Sequence, residues 1–249
     1  MLSVLDLVVL QVRHLLRVPF FVQQAVLAPT SFALLRMLAA RGSAESVMGT
    51  LWSDVAVAGL WASTTTAVGL VGHQRRQGTL EHLVVSVHPP GVVFGSLCAA
   101  ATLLGLVGVP VGWAAQLVAS GHVPVVSAMS VMGVGLAVVS CLASSFALAS
   151  LFVASRSAVV FEPLVLVPVW LVCGIVVPLG QLPVPLVVVA FAHPLTAAVV
   201  VARGASDPVE TALAASVTLV VSGLWWVASR SLLSAALRRA RVDGTLALS

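Results

Sequence analysis

Long apolar runs alternate with short polar breaks along this chain. Six of the runs approach the ~20 helical residues that cross a ~30 Å hydrocarbon core. They lie near 18–40, 51–72, 92–117, 125–154, 159–177 and 211–228; the fourth is overlong and either tilts or begins before it enters the bilayer. The first seventeen residues follow another rule. Ser3, Asp6, Arg13 and Arg17 recur at helical spacing while Leu2, Leu5, Val9, Val12 and Leu16 fill the opposite side. That pattern predicts an amphipathic helix over 1–17, lying in the membrane interface with its apolar face down. A signal peptide is the competing reading, but Pro19, Pro29 and Arg36 interrupt the apolar core it would need.

A different pattern precedes the last run. Between 178 and 203 the apolar pieces 186–192 and 197–202 are each too short to cross, and Pro178, Pro183, Pro185 and Pro194 punctuate them. The expectation is a re-entrant helical hairpin whose irregular backbone is buried in protein or lines a cavity. A single kinked span over 186–202 is the alternative, and it would carry the C-terminal arginines to the opposite side.

Composition narrows the class. The chain is 60% hydrophobic and 8% charged with a mean hydropathy of +1.13, which no soluble domain of 249 residues sustains. All twelve basic residues are arginine, so the phosphate-binding pattern G-x-x-x-x-G-K-[ST] is excluded, and with it a P-loop ATPase in this chain. The formal charge of +4 does not form a nucleic-acid stripe, because the arginines are dispersed at the ends of the runs. With six spans both termini share one side. Placing them in the cytosol puts Arg13, Arg17, Arg75, Arg76, Arg156, Arg230, Arg238, Arg239 and Arg241 inside, and only Arg36, Arg41 and Arg203 outside. The positive-inside rule therefore predicts a multi-pass cell-membrane protein with both termini cytosolic. Cys98, Cys141 and Cys173 each stand alone in an apolar run, so neither a metal site nor a disulfide framework is expected.

The longest polar interruption is 73–91, and its residues together with those of 178–203 carry a resemblance. Arg75, Arg76, Gly78, Thr79, Leu80, Glu81 and Ser86, followed by Pro89, resemble the cytosolic signature of ABC-2 type transporter permeases; Gln74 stands where an acidic residue is common. Pro178, Leu182, Pro183, Pro194, Leu195, Thr196 and Arg203 resemble the family's pattern before its last span, with His193 in place of a common asparagine. The resemblance implies one transmembrane domain over 1–249: an interfacial helix, six transmembrane helices and an outer hairpin. It implies no cofactor on this chain, with ATP and Mg bound by a separate ATPase subunit in two copies. It also implies a second permease subunit, as a homo- or heterodimer in membrane lipid, and export of a lipophilic or amphipathic cargo (drug, lipid or peptide). Pro178, Leu182, Pro183, His193, Pro194 and Leu195 would form the outer gate.

The residues of 73–91 suit such a contact physically. Gly78 can turn the chain, and Thr79 can cap a new helix. Leu80, Leu83 and Val84 then form an apolar knob at i, i+3, i+4, with Arg75, Arg76 and Glu81 as its charged rim. A solvated loop is the bland alternative. Within the runs, only Arg36, Asp54 and Glu162 are ionisable and near the bilayer, all close to span ends. Arg36 and Asp54 fall near the same outer end and are placed to pair, unless Arg36 merely snorkels outward. Ser63-Thr64-Thr65-Thr66 is the most polar intramembrane run; Thr64 and Thr65 are candidates to line a path, though such hydroxyls often bond their own helix. Gly91-x-x-x-Gly95 and Gly108-x-x-x-Gly112 are candidates for close helix approach. No Ser/His, paired-Asp or His-rich constellation sits at catalytic spacing, which disfavours an enzyme. Two other classes stay open: a non-transporting membrane assembly or immunity protein, and an ion-coupled carrier.

Overall fold

A computed structural model describes residues 3–41, 47–76, 78, 86, 88–154, 162–204 and 207–242. Among these residues helix is the one kind of regular secondary structure, with no strand. The helices are α1 (Val4–Arg17), α2 (Pro19–Arg41), α3 (Leu51–Arg76), α4 (Pro90–Gly105), α5 (Gly108–Ser120), α6 (Ala128–Ala154), α7 (Glu162–Val172), α8 (Val184–Ala190), α9 (Pro194–Ala202) and α10 (Pro208–Val242). Five apolar stretches are long enough to cross a membrane: α2, most of α3, α4 with α5, α6 and α10; counting the bent pair α8–α9 as one span makes six.

α1 begins with a reciprocal cap: the Asp6 amide donates to the Ser3 hydroxyl, and the Ser3 amide and hydroxyl donate to the Asp6 carboxylate. Those bonds, the backbone one foremost, hold the Asp6 carboxyl below its ordinary value. The helix is amphipathic, and its apolar residues Val4, Leu5, Val9 and Leu10 stay exposed. A protein core does not claim that face, which fits a lipid interface. The break at Val18 follows from Pro19, which disfavours helical geometry in the residue before it.

α3 and α6 form the centre, most of their residues buried, while α2 and α10 expose long apolar faces. α10 packs along α6; α5 and α6 flank α3; α9 wedges between α6 and α10. The run at 92–117 is two helices, not one. Pro110 has no amide to give the Leu106 carbonyl, and the Val109 amide turns back to that carbonyl instead, 2.9 Å. Just past the break, Gly108 and Gly112 lie against α3: a Cβ on Gly112 would stand 2.5 Å from the Trp52 carbonyl oxygen, and one on Gly108 2.9 Å from that of Val55. This small-residue pair serves packing within the chain. Gly91 faces open space and Gly95 makes only an ordinary contact with Trp226, so the other pair does not.

The described part of the run at 159–177 is the 11-residue α7, which ends at Val172, followed by a turn. Gly174, at φ +84°, turns the chain there, and a short 3₁₀ turn restarts only after Pro178. Residues 155–161 lie outside the described segments. The last run, expected at 211–228, extends instead from Pro208 to Val242.

Candidate functional site

Three regions gather the polar chemistry of the bundle, and α3 serves as a ruler between them. Asp54 lies in its first turn. Twenty residues on, Gln74 borders a cleft shared with Arg13, His14 and Arg17 of α1. At 1.5 Å per residue these positions are about 30 Å apart, one hydrocarbon thickness.

At the first level Asp54 is 3% exposed and holds two guanidiniums. Arg36 Nη2, at the end of α2, lies 2.6 Å from one carboxylate oxygen; Arg203 Nε, at the C-cap of α9, lies 2.7 Å from the other. Arg203 Nη2 also donates to the Ile175 carbonyl, 3.1 Å, and the Thr50 hydroxyl lies 3.4 Å from the Asp54 carboxylate. One carboxylate thus fastens α2, α3, the turn after α7 and the end of α9. The two arginines are 17% and 22% exposed, so the surplus positive charge is solvated in part. Nearby, Gln116 of α5 accepts from the Trp52 amide at 3.0 Å, satisfying one open donor at the start of α3.

The second region is the bent pair. α8 and α9 meet at 100°. Pro178 caps a short 3₁₀ turn at Leu179–Gln181, Leu182 closes it in extended geometry, and Pro183 starts α8. His193 caps α9, its Nδ1 accepting from the Leu195 amide at 3.3 Å, with Pro194 at the first helical position. Leu195 is fully buried. The Thr196 hydroxyl reaches back across the bend to the Ala190 carbonyl, 2.6 Å. The His193 ring packs edge-on against Trp61 of α3 and Trp225 of α10, centroids 5.3 and 5.1 Å away. Its Nε2 is 3.3 Å from the Ser144 hydroxyl of α6, and Ser140 donates to the Pro194 carbonyl, 3.2 Å. Trp61 is seven residues past Asp54, so this node sits about 10 Å deeper along α3. Gly133 of α6 meets the Ala202 backbone so closely that a Cβ there would overlap it, which seats α9 on α6.

The third region is the expected coupling segment. Arg75 and Arg76 fall in the last turn of α3, and Gly78 takes φ +68°. The Ser86 hydroxyl donates to the His88 carbonyl, 3.1 Å. Thr79, Leu80, Glu81, Leu83 and Val84 lie outside the described residues, and with them the proposed knob.

Of the sequence-derived candidates, the fold brings Arg36 and Asp54 together and adds Arg203. It separates Thr64 from Thr65. The Thr65 hydroxyl bonds its own helix at Ala62, 2.6 Å, whereas the Thr64 hydroxyl is buried with no aligned partner among the described residues. Ser144, Trp61, Trp225 and Gln116 escaped the sequence reading; a glutamine alone in the apolar run at 92–117 was the one signal available. No group of three metal-ligating side chains occurs among the described residues. No family model, characterised protein or solved structure matches the chain.

Proposed function

We propose that this chain is the membrane-embedded permease subunit of an ABC-2-like exporter. Two such subunits pair, and two separate ATPase subunits dock on the Gly78–Pro90 connection. Closure of the motors rotates α3 and α4, and the movement reaches the bent α8–α9 pair at the far face, which opens an outward route for a lipophilic or amphipathic cargo. The observation that carries this reading is the Arg203–Asp54 ion pair, which couples the bent pair to the start of α3. The other end of α3 leads into the presumed docking loop. A rigid helix with one end on the motor and the other on the gate transmits displacement across the bilayer. The lack of lysine agrees with a fuel-hydrolysing site on another polypeptide. Affinity purification of the tagged chain from native membranes tests the proposal: an ATPase subunit co-purifies, and its absence from a stable, intact preparation contradicts it.

One observation favours a second reading. His193 places a titratable ring among the apolar helices, and an intramembrane ionisable group is what an ion-coupled carrier requires. Transport that ignores ATP and collapses with the proton gradient would select that alternative.

A further inference from the structure

A cavity of about 490 Å³ opens at the end of the bundle shared by α1, the first turn of α4 and the last turns of α10. Its volume is in the roughly 300–1,000 Å³ range of small-molecule sites. The walls are apolar, formed by Val8, Val92, Ala99, Leu142, Trp226 and Leu237 among others. Its hydroxyls are already engaged: Ser96 donates to the Val93 carbonyl at 2.8 Å and Ser234 to that of Ser231 at 2.9 Å. Arg230 is the exception. Arg230 lines the cavity, is exposed, and forms no hydrogen bond or ion pair with a described residue. Arg230 lies 22 residues past the start of α10, about 33 Å along the helix, which puts it at headgroup level if Pro208 marks the opposite boundary. The positive end of α4 faces the same space.

We propose that this cavity is a binding site for an anionic membrane phospholipid, with one acyl chain among the apolar walls and the headgroup phosphate on Arg230. Charge complementarity selects the occupant: an apolar slot lined by one cation with no partner among the described residues matches an anionic amphiphile, and neither a neutral hydrocarbon nor a free inorganic anion satisfies both parts. The proposal does not depend on the transport reading, since no ATPase or cargo takes part.

Trp226 in the wall provides the probe. The chain is reconstituted alone into phosphatidylcholine vesicles that contain, at equal mole fraction, either phosphatidylglycerol or phosphatidylcholine brominated on its acyl chains. The Trp226 signal is taken as the difference between wild type and Trp226→Phe. Brominated phosphatidylglycerol should quench it at lower mole fraction than brominated phosphatidylcholine. Arg230→Gln should raise the required fraction about fivefold and erase the headgroup preference, while Arg230→Lys keeps most of it. Equal quenching by both lipids in wild type overturns the proposal, as does a preference unchanged in Arg230→Gln. Failure of either lipid to quench Trp226 in a chain that runs as a dimer by light scattering gives the cavity to a second copy, and overturns it too.

Discussion

Replacing Asp54 by asparagine keeps the side chain's volume and removes the one charge that two arginines share. At an effective dielectric constant near 20 and roughly 4 Å between charge centres, each Arg–Asp pair is worth about 4 kcal/mol, and repulsion between the arginines returns roughly 2. Desolvation offsets much of the remainder, so the expected loss is the ~3–5 kcal/mol seen when a buried pair loses one partner. The partial exposure of Arg36 and Arg203 places the value toward the lower end. For a protein of this size that is a fall of about 6–20 °C in the midpoint of thermal unfolding in detergent. The single variants should rank by what each leaves behind. Arg36→Gln leaves a neutral Asp54–Arg203 pair and costs least. Arg203→Gln also loses the bond to Ile175 and costs more. Asp54→Asn strands both cations and costs most. Replacing all three by leucine should recover much of the loss, because no charge is then left unpaired. Thermal unfolding followed by size-exclusion chromatography reads the series. An Asp54→Asn midpoint within 2 °C of wild type (under about 1 kcal/mol by the same scaling), or a triple-leucine variant no better than Asp54→Asn, would refute the reasoning.

Other sites give sharper contrasts. Gly133→Val should cost about 1–3 kcal/mol or more by pushing α9 off α6, whereas Gly135→Val, whose Cβ meets open space, should leave the same thermal midpoint nearly unchanged. Thr196→Val removes the hydroxyl that spans the α8–α9 bend; the Ala190 carbonyl keeps its bond from the His193 amide, so the loss is that of one hydrogen bond, about 0.5–1.5 kcal/mol, measured in the same assay. The proposed docking predicts that Leu80→Asp with Leu83→Asp abolishes co-purification of an ATPase subunit while membrane insertion, read by carbonate extraction, stays normal.

The sequence made the helices legible where an apolar run is continuous and ends in arginine, serine or glycine, as at 18–40, 51–72 and 125–154. Single prolines and glycines hid the rest: Pro110 divides one run without a polar residue to mark it, and Gly174 ends α7 inside what reads as one apolar stretch. Arg36 and Asp54 were recognisable as neighbours because the two flank one short connection. Arg203 was not, since its contact with Asp54 closes a separation of 149 residues that no local pattern records. His193 stood out only as an unusual residue before Pro194; its setting between Trp61 and Trp225 comes from two other helices of the bundle. Amphipathicity and proline placement are local properties, whereas these contacts belong to the packed bundle.

Vesicles loaded with purified chain and the ATPase subunit that the proposal expects to co-purify put the transport reading to its most direct trial: a fluorescent amphiphile is followed across the membrane with ATP supplied to the ATPase face, with and without a protonophore. The account predicts movement that needs both proteins and ATP and is indifferent to the protonophore. Full activity of the chain by itself, driven by a proton gradient and lost when that gradient is dissipated, would contradict it.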